Sequence, residues 1–320
     1  MIITRRYFAL AATSLVALLL GAEITLRVAF GLGMPIVYSR DRDAGYIAMP
    51  SQKVHRFGVD IHINAFGMRS DDISVHKPDG TYRLLILGDS VAYGTSRVDQ
   101  ADIFASVAQR ELSKRLRRKV EMLNASAGGW APGNELGYLR SRGTFKSDAV
   151  IMVINTLDLN QPFEEQAGDK MGSYTDMPNT PPPSALAELA FRYLVPRIRG
   201  VIETHDPGSI ESPINPAVEV PPILETINQA REFAQASSAT FSLLFLPQYY
   251  LASRADWALA TQMLFDWAKA RGVAVIDMSP DFLSAPASRY YLENIHPNSA
   301  GHALIAKRVV ETWPAIASRN

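Results

Sequence analysis

From residue 81 onward, short apolar runs exchange repeatedly with stretches of helical spacing. Strands are expected at 82–87, 119–124, 149–155, 240–246 and 273–277. Helices are expected at 100–116, 133–143, 253–271 and 299–312. In the last helix Ala303, Ala306, Val309, Val310 and Trp313 fall on one stripe behind a capping Ser299. The run Tyr82–Leu87, apolar but for Arg83, has the length of a strand buried on both faces. Strands alternating with helices argue for a parallel sheet covered on both sides, with right-handed crossovers.

A different pattern opens the chain. Arg5 and Arg6 precede Tyr7–Ala22, a stretch without a charge. As a helix it spans about 24 Å, short of a hydrocarbon core of roughly 30 Å. Extension to Leu26 reaches about 30 Å and takes in Glu23, which can pair with Arg27 four residues on. Leading arginines favour a cytoplasmic N-terminus and an exported body. The alternative is a cleaved signal, and Thr4-Arg5-Arg6-Tyr7-Phe8 resembles a twin-arginine one. Ala22 is preceded at the −3 position by Leu20, a poor cleavage context. An uncleaved anchor at 1–27 is the expectation.

Residues 28–80 form a juxtamembrane segment in which Gly45-Tyr46 and Asn64-Ala65-Phe66-Gly67-Met68-Arg69 stand out. Ile61 and Ile63 alternate as in a short strand before the turn residue Gly67, so a hairpin is expected there. Arg69 is either part of that hairpin's packing or a substrate contact. Within the main domain, 81–316, the rhythm breaks at 160–225. This stretch holds Pro181-Pro182-Pro183, Pro221-Pro222 and a helical pattern over Ala185–Val201. It reads as an insertion: a binding loop or a surface excursion. Its Phe191, Tyr193, Leu194 and Ile198 either line an acyl pocket or rest on a membrane.

Composition narrows the picture. With 320 residues, 47% hydrophobic and 20% charged, the chain can bury a large core. Thirty-two basic residues balance 32 acidic ones, so no global field favours nucleic acid, and none is expected as a partner. The basic cluster Lys114, Arg115, Arg117, Arg118 and Lys119 ends a helical pattern, where cations suit the helix dipole. The absence of cysteine excludes thiol catalysis, disulfides and zinc–thiolate sites. His55, His62, His76 and His205 have no metal-ligand spacing, and neither metal nor cofactor is expected.

Two short segments carry the chemistry. Leu87-Gly88-Asp89-Ser90 places a hydroxyl just past an apolar strand, where open parallel sheets bind ligands. Glu293-Asn294-Ile295-His296-Pro297-Asn298 places a histidine three residues after a carboxylate. Together they supply a nucleophile, a base and a group to orient the base.

Leu87-Gly88-Asp89-Ser90 resembles the first block of the SGNH, or GDSL-type, hydrolases. Glu293-x-x-His296-Pro297-Asn298-x-x-Gly301-His302 resembles their last block, which usually begins with Asp. Leu123-Asn124-Ala125-Ser126-Ala127-Gly128-Gly129-Trp130 is similar to the second block and puts Gly129 in the place of the oxyanion glycine. The third block departs: the family has Gly-x-Asn-Asp, and this chain reads Asn155-Thr156-Leu157-Asp158 after its strand. A match on Asp158 leaves Leu157 where the oxyanion asparagine belongs, with Asn155 as stand-in. Asn-x-x-Gly-x-Arg resembles a segment of membrane-anchored bacterial members.

The resemblance implies a three-layer α/β/α sandwich, flavodoxin-like, with a mostly parallel five-stranded sheet. It implies a serine esterase or deacylase with Ser90 as nucleophile, His296 as base, Glu293 as its orienting carboxylate, and Gly129 and Asn155 at the oxyanion. An acyl ester, with acetyl the expected group, on a small molecule, lipid or polysaccharide is the expected substrate, met outside the cytoplasm. An O-acyltransferase on a glycan and a non-catalytic glycan- or lipid-binding relative are the alternatives. Asp89 is expected to shape its turn, and His302 to pack in the last helix.

Overall fold

The computed structural model describes residues 2–163, 171, 173, 177–202, 213–293 and 295–317. It begins with an exposed apolar helix, α1 (Ile2–Phe30), and an 18-residue stretch within Arg6–Phe30 has a mean hydropathy of 1.9. By length and composition this helix fits a signal sequence or an anchor.

Where one hairpin was expected, the next segment folds as two: β1 (Tyr38–Asp41) with β2 (Gly45–Ala48), and β3 (Gln52–Arg56) with β4 (Val59–Ile63). Alternating Ile61 and Ile63 are both buried beneath the second hairpin, as their period demands.

The main body alternates as its sequence predicts. In order come β5 (Tyr82–Gly88), a single turn α2 (Ser90–Tyr93), α3 (Phe104–Leu116), β6 (Val120–Ser126), α4 (Pro132–Arg142) and β7 (Ala149–Asn155). Then come α5 (Ala185–Glu188), running through a wide turn at Leu189–Leu194 into α6 (Val195–Ile202), and α7 (Pro216–Ala236). The last are β8 (Thr240–Leu246), α8 (Ala255–Ala270), β9 (Ala274–Asp277), α9 (Ser279–Phe282) and α10 (Ser299–Ala317). The sheet is five-stranded and parallel throughout, in the order β6-β5-β7-β8-β9.

Strand residues alternate between two cores. Leu85, Leu87, Met152, Ile154 and Phe245 pack with α4, α7 and α8 on one face. Leu84, Ile86, Ile151, Val153 and Leu244 pack with α3 and α10 on the other. Arg83 interrupts the apolar run of β5, yet it is wholly buried. It survives there because Glu121 and the carbonyls of Ser74 and Phe145 take its guanidinium.

The expected insertion at 160–225 needs correction. Pro221-Pro222 lies inside α7, the crossover helix between β7 and β8, rather than in a loop. Proline costs a helix interior roughly 3 kcal/mol through its missing donor and its ring. Burial of the stripe Val220, Ile223, Ile227, Ala230 and Ala234 outweighs that cost. Residues 164–170, 172, 174–176 and 203–212 of that stretch, with His205 among them, lie outside the described residues.

The basic cluster at the end of α3 is absorbed by the fold. Lys114 pairs with Glu111, Lys119 with Glu121, Arg115 donates to the Val310 carbonyl, and Arg118 lies over the Tyr82 ring.

Candidate functional site

In a parallel sheet the strand order reverses at one point, where neighbouring crossovers leave on opposite faces and open a crevice at the carboxyl ends. Here that point lies between β5 and β7. Ser90 follows β5 directly. Gly88 makes the turn possible: a Cβ there would stand 2.6 Å from that of Ala92. Asp89 caps the single turn that follows, its Oδ1 accepting from the Val91 N–H at 2.8 Å. This is the turn-shaping role expected of it.

His296 arrives from the other end of the chain. Residues 290–298 double back on themselves, with Leu292 N–H bonded to the His296 carbonyl and Asn298 N–H to that of Tyr290. Asn298 then caps α10 by accepting from Gly301 N–H at 2.9 Å. Asn294 is outside the described residues. This fold-back sets His296 Nε2 2.9 Å from Ser90 Oγ. The other ring nitrogen, Nδ1, is hydrogen-bonded to Glu293 Oε1. With Nδ1 protonated against the carboxylate, Nε2 is left to accept from the serine hydroxyl.

Partial burial works against the Glu293 charge, but His296 and Arg97 outweigh it and hold this carboxyl below the usual range. Arg97 was not singled out in the sequence. Its Nη2 donates to Glu293 Oε2 at 2.5 Å, so the carboxylate bridges imidazole and guanidinium. The glutamate, one methylene longer than the aspartate usual at this position, is thus held at both oxygens.

Arg69 turns out to be a packing residue rather than a contact for substrate. It is wholly buried, and its guanidinium donates to the carbonyls of Tyr93, Thr95 and Val98 at 2.8, 2.6 and 2.6 Å. It therefore fixes the backbone between Ser90 and Arg97. The Asn64-x-x-Gly67-x-Arg69 pattern carried that signal.

Gly129 lines the crevice beside Ser90 and His296. Its φ of +76° suits glycine, and a Cβ there would meet Tyr46 Oη at 3.1 Å. The Tyr46 hydroxyl donates to the Gly128 carbonyl at 2.6 Å. In a trans peptide the carbonyl and the following N–H point in opposite directions, and no described peptide is cis. Tyr46 thereby aims the Gly129 N–H away from itself.

Asn155 sits differently from the rest. It is buried and is not among the crevice-lining residues. Its Nδ2 donates to Asp89 Oδ2 at 2.9 Å and its Oδ1 accepts from Leu157 N–H at 2.7 Å. So Asn155, not Leu157, reaches toward the nucleophile's turn, and it does so through Asp89. Leu157 packs against the core.

Beneath this turn lies a group of acids no sequence pattern announced. Glu135 on α4 is fully buried, with neither carboxyl oxygen hydrogen-bonded. Burial, then the charges of Asp158 and Asp89, push its pKa well above the ordinary carboxylate range. Asp158 is raised likewise, by burial and by Asp89, against a hydrogen bond from Asn155 N–H. A buried Glu135 keeps its proton in the folded chain, while the unfolded chain releases it near pH 4.5. Stability from this group is therefore present below that pH and is lost as pH rises toward the folded-state pKa. Glu135→Gln should flatten that decline. Urea midpoints measured from about pH 5 to about pH 8 check it, and equal slopes for both proteins would refute it.

His302 is buried, stacks on Phe104 and accepts from Phe104 N–H through Nδ1. Burial, with the charges of Arg69 and His296, holds its pKa down at about 3, so it stays neutral. It packs as expected, but its buried Nε2 has no hydrogen-bond partner among the described residues.

Residues 86–304 match the GDSL-like Lipase/Acylhydrolase family. The chain belongs to this family. It is accordingly an ester hydrolase by family, and the two matched ends bracket Ser90 and His296. Among solved structures, the crystal structure of TesA is 16% identical, with 73% of this chain and 99% of that chain covered at a TM-score of 0.46. A member of the lipolytic G-D-S-L family from Veillonella parvula is 12% identical, with 73% and 98% covered at 0.46. The acetyl xylan esterase AlAXEase is 14% identical, with 73% and 98% covered at 0.45. A search of curated proteins gave no match.

Proposed function

We propose that this family member is a membrane-anchored, extracytoplasmic serine esterase that works through a Ser90–His296–Glu293 triad. One observation carries the reading: the unbroken hydrogen-bonded path from Glu293 through His296 to Ser90 at the sheet's switch point. Ser90 Oγ bonds to the ester carbonyl carbon as its proton passes to His296 Nε2. His296 then returns the proton to the departing alkoxide, the ester C–O bond breaks, and an acyl-enzyme remains. Water, deprotonated by the same nitrogen, releases the acid and restores the serine. The backbone N–H groups of Ser90 and Gly129 serve the oxyanion, with Tyr46 aiming the second of them. Asn155 supports that hole from behind, by holding Asp89.

Retention of α1 is supported by what its last turns hold. Glu23 accepts from the N–H groups of Ala185 and Leu186, both at 2.9 Å, and pairs with Arg27 at 2.7 Å. Leu32, just past the helix, is buried. Cleavage after residue 22 would leave the start of α5 bound to a new chain terminus. The crevice, with a volume of about 840 Å³, has room for far more than an acetyl group.

A fluorophosphonate tests the mechanism, since serine displaces its fluoride only when activated. The expected product is a phosphonyl adduct on the peptide carrying Ser90, with p-nitrophenyl ester turnover lost in step. Full labelling of another residue, with turnover intact, would overturn the triad.

A further inference from the structure

The anchor does not end as a simple tether. Around its C-terminal turns the chain gathers a collar of exposed apolar side chains from three separate segments. Ile24, Val28 and Phe30 come from α1 itself, Met34 from the segment after it. Phe57 comes from the tip of the β3–β4 hairpin, and Leu194 and Ile198 from α5–α6. Hydrogen bonds lock the three segments together. Phe57 N–H bonds the Phe30 carbonyl at 3.1 Å, and Arg56 Nη1 bonds that of Gly31 at 3.1 Å. The buried Glu188 of α5 takes Gly33 N–H at 2.6 Å and pairs with Arg56. Phe57 and Tyr193 meet edge to face at 6.0 Å.

The polar groups of α1 are arranged for an apolar surrounding. Glu23 and Arg27 lie on the face packed against α5, where ion pair and helix N–H groups satisfy them. The hydroxyls of Thr13 and Thr25 bond their own helix, at the carbonyls of Ala9 and Gly21. Ile24 and Val28 stay exposed on the outer side. The uncharged run Tyr7–Ala22 reaches only about 24 Å, some 6 Å short of a hydrocarbon core. Carrying the apolar outer face on to Phe30 removes the shortfall, and it brings the collar to the level where acyl chains meet headgroups. The exposed Arg197 directly precedes Ile198, as anionic headgroups would favour.

We propose that this collar, Phe57 and Leu194 with Ile198 about the end of α1, is seated in the interface of a phospholipid bilayer. The inference rests on reading α1 as a retained anchor. Its consequence concerns the crevice, whose lining runs from Ser90 and His296 to Ile36, Arg56, Phe57 and Tyr193. Phe57 belongs to both collar and crevice wall, and the half-buried Tyr193 of that wall packs on it and precedes Leu194 of the collar, so the opening at that end faces the membrane. Pro35 and Ile36 lie within six residues of Phe30, a reach of at most about 20 Å. An amphiphilic ester held in the bilayer can enter there without leaving it completely.

The native chain has no cysteine, so single labels are clean. The full chain carrying Phe57→Cys, Leu194→Cys, Leu15→Cys or Leu259→Cys is labelled with an environment-sensitive fluorophore and reconstituted in phosphatidylcholine–phosphatidylglycerol vesicles. Labels at 57 and 194 should emit to the blue and be quenched by nitroxide lipids labelled near the headgroup. The label at 15 should respond to nitroxide deep in the acyl chain. The label at 259, exposed on α8, should behave as in water. Water-like emission at 57 and 194 with deep quenching at 15 would overturn the collar and leave the anchor standing. Water-like emission at 15 as well would overturn the anchor, and the collar with it.

Discussion

Ser90→Ala is expected to lower kcat toward a p-nitrophenyl ester by roughly 10⁴–10⁶-fold, leaving only what the oxyanion donors and binding supply. His296→Ala should fall in the same range, and the double variant should lose little more, because the two act as one unit. Glu293→Ala should cost less. The imidazole remains seated in the 290–298 fold-back without it, but loses the acceptor that fixes its tautomer. Arg97→Gln should cost less again, since its link to the imidazole runs through Glu293 and half of its side chain is in water. Initial rates with folded variants check the ranking. A Ser90→Ala protein that retains wild-type kcat would remove the nucleophile assignment. Equal, small losses for His296→Ala and Glu293→Ala would remove the base.

Arg69→Met is expected to destabilise the full chain in detergent micelles by about 3 kcal/mol or more. Two effects oppose each other. Among the described residues no carboxylate pairs directly with the buried Arg69, and burial alone pulls its pKa down, so losing the charge relieves a desolvation cost. Against this, the carbonyls of Tyr93, Thr95 and Val98 lose the donors that satisfy them, at roughly 1–3 kcal/mol each. The second effect wins because three acceptors depend on one side chain. Arg69→Lys should recover only part, since an ammonium cannot reproduce the fork. Urea midpoints at constant slope measure the loss, and a change within about 0.5 kcal/mol would show the loop to be held by something else. Lowered kcat should accompany destabilisation, because the same loop carries Arg97 to Glu293.

How legible the site was depended on whether a role shows as local spacing. Ser90 and His296 could be read because each sits in a short block whose neighbours are fixed by local geometry: Gly88 by the close approach of Ala92, Asn298 by capping α10. Arg97 and Tyr46 could not be assigned a role, because theirs exist only as contacts with residues far away in the chain. Asn155 was expected at the oxyanion from its place after a strand, whereas its amide donates to Asp89, which belongs to another strand's turn. Glu135 gave no signal, since a helix written with one glutamate does not say which side faces the core. Pro221-Pro222 misled in the opposite way: local propensity spoke for a break, and packing of the Val220–Ala234 stripe overruled it.

By itself the sequence determined the parallel alternation, the five strand positions, the apolar N-terminal helix, and the serine and histidine that meet. Periods of 2 and 3.6 and short capped turns are properties of neighbouring residues, so they are written locally. Tertiary structure alone decided that Arg69 is an internal brace, that Arg97 reaches Glu293 and Tyr46 the Gly128 carbonyl, and that α1 is joined to α5 through Glu23. Each of these is a hydrogen bond between distant segments, and only folding sets the distance across which it can form.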